Sequence, residues 1–276
     1  MSYINPVVGA STKISVTRLQ SMRAANEKIA ILTAYDASFA ALMDNCGIEA
    51  ILIGDSLGNV VQGHSSTIPV TVTDIAYHTA CVARGAKNAL IIADMPFASY
   101  GDKSQALMNA TTLMQAGAHM VKLEGGDWLV EIIKHLVKQG IPVCAHLGLT
   151  PQSVNTLGGF KVQGKSKESA ETMLADALAV EKAGAQLIVL EAIPSSLGML
   201  ITQELTIPTI GIGAGPDCSG QVLVMHDALG AFPGRQPKFV KNFLAQYGSI
   251  ELAISAYRQE VKAGSFPGPE HCFASV

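Results

Sequence analysis

The chain has 276 residues with a formal net charge of −3, and 49% of its residues are hydrophobic while 15% are charged. That supplies ample apolar side chain for a large core. The acidic balance and the absence of any Lys/Arg-rich run exclude nucleic acid and an anionic membrane surface as partners, because both need a basic face. The mean hydropathy is positive, yet the long uncharged stretches 56–73 and 141–160 carry Gly, Pro, His, Gln, Asn or hydroxyl residues. Neither reads as a membrane-spanning helix. The opening MSYINPVVGASTK lacks a basic start followed by an apolar core, so no secretory signal is expected. Cys46, Cys81, Cys144, Cys218 and Cys272 are scattered and free of CxxC spacing. They read as reduced thiols of a cytoplasmic protein, with no disulfide or zinc framework.

Taken in order, Ser15 to Asn26 reads as a short amphipathic helix with Val16, Leu19 and Met22 on one side, placed to cap one end of the fold. Lys28 to Asp36 is strand one, and a helix starting at Ser38 is closed by Gly47. Ala50 to Ser56 is strand two, inside AILIGDSLG, where an apolar run meets an acid and a hydroxyl at once. The polar stretch Gly58 to Thr73 reads as a long loop, and Asp74 as the N-cap of the next helix. Ala89 to Phe97 is strand three, Ser104 to Ala118 a helix, Met120 to Gly126 strand four, and Trp128 to Gln139 a helix stopped by Gly140. Pro142 to Thr150 is strand five, followed by a second long loop from Pro151 to Ser166 and a helix from Glu168 to Ala183. Gln186 to Pro194, Pro208 to Gly215 and Val222 to Asp227 are strands six to eight, with a short helix at Leu197 to Leu205. Pro237 to Ala263 is helical with a break near Gly248.

The apolar runs are continuous, not alternating, as parallel strands covered on both faces require. Eight βα units in one chain of this size indicate an α/β fold, a (β/α)8 TIM barrel, with a doubly wound open sheet as the alternative. A single barrel domain over 1–276 is expected, with 1–14 as an N-terminal tail. The short connection GIGAGPDCSG between strands seven and eight leaves no room for a full helix. GIGAG itself lacks the GxGxxG spacing of a dinucleotide turn and reads as tight packing.

In such a barrel the active site lies at the C-terminal strand ends. Those ends carry Asp36, Asp55, Asp94, Glu124, His146, Glu191 and Asp227. One acid after a strand is ordinarily a helix cap or loop acceptor. Several acids around one mouth repel one another and persist only with a cation or with shifted pKa values. An oxygen-rich set without HExxH or a Cys/His cluster selects Mg²⁺, with Asp55 and Asp94 as ligands and Glu124 binding directly or through water. Lys122 and Glu124, two apart on strand four, share a face. Lys122 either neutralises the acids or donates to a developing enolate; held by acids, it keeps a high pKa and does not suit a Schiff base. Glu191 suits a general base, and Ser56 a contact to a small carboxylate. His226 and Asp227, adjacent in a strand, would face opposite ways. His78, His119 and His135 read as surface or packing residues.

The ordered segments TAYDASFA, GDSLGNVVQGHSSTIPVT, DIAYHTACVARGA, ADMPF, AGAHMVKLEGG, CAHLGLTPQSVN, GGFKVQGK, LEAIP, VMHDALG and FPGPEH closely resemble the ketopantoate (3-methyl-2-oxobutanoate) hydroxymethyltransferases. The resemblance runs from about Lys28 to the C-terminus and implies a barrel of the phosphoenolpyruvate mutase/isocitrate lyase type. It implies transfer of a hydroxymethyl group from 5,10-methylenetetrahydrofolate to 3-methyl-2-oxobutanoate, giving 2-dehydropantoate for pantothenate and coenzyme A biosynthesis. It also implies one Mg²⁺ per subunit at Asp55, Asp94 and Glu124, substrate contacts at Asp55, Ser56, Asp94 and Lys122, and Glu191 as proton acceptor. A homodecamer of two pentameric rings is implied as well. The alternative is a Mg²⁺-dependent C–C lyase or mutase acting on a small 2-oxo or 2-hydroxy acid. The lyases add a K-[KR]-C-G-H motif, which this sequence lacks. The loops 58–73 and 151–166 are lid candidates on length.

Overall fold

In the computed structural model, which describes residues 13–234 and 236–274, the apolar runs close into a barrel of eight parallel strands in sequential order. The strands are β1 (Ile29–Thr33), β2 (Ala50–Ile53), β3 (Leu90–Asp94), β4 (Met120–Glu124), β5 (Val143–Gly148), β6 (Leu187–Glu191), β7 (Thr209–Ile212) and β8 (Gly220–Leu223). β8 pairs back onto β1, Ile29 opposite Gly220. A Cβ on Gly220 would stand 2.2 Å from the Ile29 carbonyl oxygen, so a glycine starts the closing strand. β8 therefore lies two residues earlier than expected and ends before Val224.

Helix α1 (Val16–Ala24) precedes β1, and α2 (Ala37–Asn45) joins β1 to β2. α3 (Leu57–Val60) and α4 (Val72–Gly85) lie between β2 and β3, α5 (Lys103–Gln115) before β4, and α6 (Val130–Lys138) before β5. α7 (Val154–Leu157) and α8 (Lys167–Ala183) precede β6, and α9 (Ser195–Glu204) precedes β7. β7 runs to β8 without a helix, and α10 (Met225–Ala228), α11 (Phe243–Tyr247) and α12 (Ile250–Ala263) follow. Both long loops thus carry short helices. The tail expected at 1–14 lies, through residue 12, outside the described residues.

α1 buries Leu19 and Met22. The Arg23 guanidinium donates to the carbonyls of Thr202 and Leu205 just ahead of β7, and Ile14 N–H donates to the Asn88 carbonyl ahead of β3. These contacts lie on the N-terminal side of the strands, so α1 caps the end opposite the acids. α12 locks that same region. Buried Glu49 accepts from Ala30 N–H and pairs with Lys262 at 2.8 Å and Arg258 at 3.1 Å.

Two helix starts differ from expectation. α2 starts at Ala37, one residue before the expected Ser38, and Asp36 caps it, its Oδ1 accepting from the N–H groups of Ser38 and Phe39. Thr71, not Asp74, caps α4; Asp74 is the acidic partner of a reciprocal capping box. Among the described residues no helix is long and apolar enough to cross a membrane.

Candidate active site

β3 and β4 pair with Asp94 opposite Lys122. Lys122 Nζ stands 2.8 Å from Asp94 Oδ1 and 3.8 Å from Glu124 Oε1. Glu124 is opposite His146 of β5. His146 Nδ1 lies 3.2 Å from Glu124 Oε1 and 3.3 Å from Lys122 Nζ, while its Nε2 lies 3.3 Å from Glu191 Oε2 at the end of β6. Asp55, just past β2, donates its N–H to Asp94 Oδ2 at 2.9 Å. Asp55, Ser56, Asp94, Lys122, Glu124, His146 and Glu191 all line one cavity of about 860 Å³. The strand-end position that selected each acid from sequence thus brings Asp55, Asp94, Glu124 and Glu191 together.

The cluster sets three carboxylates and one ammonium on a floor nearly closed to solvent. Burial raises the Asp55 carboxyl well above its ordinary range, and the charges of Asp94 and Glu124 push the same way. Burial also raises Glu124, against the pull of Lys122. Burial alone would lower the Lys122 ammonium, but Asp94, Glu124 and Asp55 reverse this and hold it above its usual value. His146 is lowered by burial and by the Lys122 charge, so its ring is neutral at pH 7. Glu191 is raised by burial, with His146 opposing. Its side chain is 15% exposed against 2% for Glu124, which makes it the more accessible to a molecule in the cavity.

Sequence reasoning missed three supporting residues. Gln152 donates Nε2 to Asp55 Oδ2 at 2.8 Å and to the Met95 carbonyl at 3.0 Å, and its N–H to Glu124 Oε2 at 3.0 Å. Tyr100 donates to Gln152 Oε1 at 2.6 Å, and the Tyr35 hydroxyl is 2.9 Å from Ser56 Oγ. The only sequence signal for Gln152 is its place two residues after a strand end and its turn, in LTPQS.

Other strand-end residues do not join the floor. Asp36 is an exposed helix cap. His226 and Asp227 lie on α10, not in a strand; Asp227 lines the cavity wall, where burial raises its carboxyl to about 6. His78 Nδ1 lies 2.7 Å from the Tyr35 carbonyl oxygen, and His119 Nδ1 accepts from Ile91 N–H. GIGAG is indeed a packing feature, with Cβ positions on Gly211, Gly213 and Gly215 all within 3.1 Å of neighbouring side chains.

The donor set fits Mg²⁺. Among the described residues no three His, Cys, Asp or Glu side chains form a metal-holding group, and Mg²⁺ takes one or two carboxylates, with water and substrate supplying the rest. Asp94 Oδ1 pairs with Lys122 at 2.8 Å and its Oδ2 accepts from Asp55 N–H, so Asp94, like Glu124, would meet an ion with oxygens that already have partners. Gln152 occupies Asp55 Oδ2, leaving Asp55 Oδ1 open. Both Glu124 oxygens are already engaged, one near Lys122 and His146 and one by Gln152 N–H.

The sequence profile of the family described as ketopantoate hydroxymethyltransferase matches residues 13–269. The chain is 62% identical over 260 residues to a 3-methyl-2-oxobutanoate hydroxymethyltransferase of Burkholderia multivorans, covering 94% of this chain and 96% of the relative. It is 60% identical over 262 residues to the protein of that name from Ralstonia nicotianae, covering 95% and 96%. Among solved structures it resembles 2,3-dimethylmalate lyase, a PEP mutase/isocitrate lyase superfamily member, with a TM-score of 0.59 at 16% identity over 92% of this chain and 99% of that one. At that identity the likeness is one of fold.

Proposed function

Since this chain belongs to the ketopantoate hydroxymethyltransferase family, we propose that its cavity carries out hydroxymethyl transfer from 5,10-methylenetetrahydrofolate to 3-methyl-2-oxobutanoate, forming 2-dehydropantoate for pantothenate biosynthesis. The observation that carries the reading is one buried lysine among Asp55, Asp94 and Glu124, with Glu191 facing the same cavity across His146.

Asp55 and Asp94 would hold one Mg²⁺, with Glu124 beside them binding it directly or through water. When bound, the ion would polarise the carboxylate and keto oxygen of the keto acid and acidify C3. Ser56, steadied by Tyr35, and the Lys122 ammonium donate to the substrate carboxylate, while Asp55 and Asp94 flank the acid's polar end. Glu191 removes the C3 proton; its raised basicity suits that task. The Lys122 ammonium stabilises the negative charge that spreads onto the keto oxygen. C3 then takes the methylene carbon of the folate; both C–N bonds of that carbon break, water supplies the hydroxyl oxygen, and tetrahydrofolate leaves.

The unit is read as one barrel domain in a homodecamer. Exposed apolar side chains on the outer helices, such as Tyr77 and Met108, support burial against other copies. The free thiols among the described residues support a reducing, cytoplasmic setting. The test is folate-dependent consumption of 3-methyl-2-oxobutanoate with and without EDTA. Turnover that EDTA abolishes and Mg²⁺ restores is the expected result; no consumption with either would remove the reading.

A further inference from the structure

The cavity is far larger than a five-carbon keto acid needs. Its volume of about 860 Å³ is at the upper end of pockets that enclose drug-sized ligands. Its floor is the polar cluster, but its outer lining is different in kind. Phe160 and Lys161 come from the β5–β6 connection, Phe232, Lys238 and Phe239 from the segment after α10, and Phe273 from the C-terminal stretch.

This aromatic wall is tied to the strand ends that carry Glu191. Phe273 bridges to Pro194, three residues past Glu191, and its carbonyl accepts from Ser195 N–H at 2.9 Å. Phe239 packs edge-on to Phe273, ring centres 6.5 Å apart. Gly213, just past β7, has φ +67, and a Cβ there would stand 2.7 Å from Phe239 and 3.1 Å from Phe273. A glycine at that point lets both rings close onto the barrel mouth. Lys238 Nζ lies 5.5 Å from the centre of the Phe273 ring and donates to the Cys272 carbonyl. Ring and cation thus meet at Lys238–Phe273, and Lys161 follows Phe160 directly in the chain.

We propose that this outer chamber seats the folate co-substrate, with Phe160, Phe232, Phe239 and Phe273 against its pteridine and aminobenzoyl rings and Lys161 and Lys238 meeting its glutamate carboxylates. The proposal rests on the functional reading above. The transferred carbon of methylenetetrahydrofolate lies between the two ring systems, so both must come to the place where the keto acid's C3 meets Glu191. An aromatic wall fastened beside Glu191 meets that demand, and faces of aromatic rings stack on other rings. The tail is anionic and must point outward, where the lysines are exposed and able to pair with carboxylates.

The experiment is steady-state kinetics of the intact enzyme with mono- and polyglutamyl methylenetetrahydrofolate. Phe160→Ala, at an exposed side chain, is expected to raise the folate KM on the order of tenfold, with the keto acid KM within about twofold. In Lys161→Ala/Lys238→Ala the preference for polyglutamyl over monoglutamyl donor disappears, and Lys161→Arg/Lys238→Arg restores it. Unchanged folate KM and unchanged tail preference in these variants would overturn the proposal. Wild-type enzyme that turns over no folate would instead overturn the underlying reading, before any variant is compared.

Discussion

Lys122 and Asp94 are register partners on neighbouring strands and meet as an ion pair of 2.8 Å with side chains 4% and 3% exposed. Removing one partner of a buried pair leaves the other charge uncompensated and ordinarily costs about 3–5 kcal/mol. Here the loss is compounded, because Lys122 also offsets Asp55 and Glu124. Lys122→Ala should unfold at markedly lower temperature and lose most activity. Added Mg²⁺ should recover more stability in the variant than in the wild type, since the ion replaces the missing positive charge. Thermal unfolding with and without Mg²⁺ checks this; equal responses would separate the ion from the acids.

Glu191→Gln keeps shape and the reach to His146 but removes the base. Solvent exchange of the C3 proton of 3-methyl-2-oxobutanoate should fall by roughly 10²–10⁴-fold, with Mg²⁺ affinity little changed. Burial raises the Glu191 carboxyl above the ordinary glutamate value. The base must be deprotonated to act, so wild-type exchange should fall as pH drops through a point above the usual glutamate range. Exchange at the wild-type rate in the variant would take the base role from Glu191.

Asp227 tests the electrostatics of the cavity wall. Burial raises its carboxyl from 3.8 to about 6. A raised acid binds protons more tightly in the native state, so stability declines as pH rises from 3.8 through 6 and the penalty is complete above 6. Asp227→Asn should therefore raise Tm more at pH 8 than at pH 5, measured by calorimetry. An equal gain at both values would show that the carboxyl is not perturbed.

The chain order of this site was largely readable because Asp55, Asp94 and Glu191 end or just follow a continuous apolar run, Glu124 ends one interrupted only by Lys122, and parallel strands bring such ends to one rim. The pairing of Lys122 with Glu124 followed from strand alternation alone. Asp36 shows the limit. It too follows an apolar run, but α2 begins at the next residue and its exposed N–H groups claim the carboxylate. Nothing local separates it from Asp55, whose neighbours are set by strands β3 and β4. Gln152 was not readable for the same reason. Its amide meets Asp55 across 97 residues of chain, through a turn whose direction depends on where Tyr100 already stands.

Gln152 should behave as a positioning residue. Its Nε2 holds Asp55 Oδ2 at 2.8 Å and is itself oriented by Tyr100 through Oε1 at 2.6 Å. Loss of a group that orients a metal ligand typically costs 10–100-fold in metal affinity or activity. Gln152→Ala should weaken Mg²⁺ binding by about that factor in a calorimetric titration. Gln152→Glu should be worse at pH 8, because it sets a further carboxylate against Asp55 and Glu124. Affinity at the wild-type level in both would mean that Asp55 is held in place without it.

Gly148 supplies a geometric test of Glu191 that leaves every polar group intact. It has φ +95, and a Cβ there would stand 2.2 Å from the Glu191 carbonyl oxygen and 2.9 Å from Ile193 Cγ2. No side chain fits without moving the end of β6, and a left-handed alanine is itself strained by about 1–2 kcal/mol. Asp55, just past β2, and Asp94, at the end of β3, are held by other strands and should keep their positions. Gly148→Ala should therefore lower kcat on the order of 10²-fold, the cost of a misplacement of about an ångström, while Mg²⁺ affinity changes little. Gly140→Ala separates strain from displacement. Gly140 has φ +82 and nothing within 4 Å of a Cβ, so that variant should lose stability alone. If the two variants lost kcat equally, backbone strain would account for both, and the placement of Glu191 by β6 would not be what governs the rate.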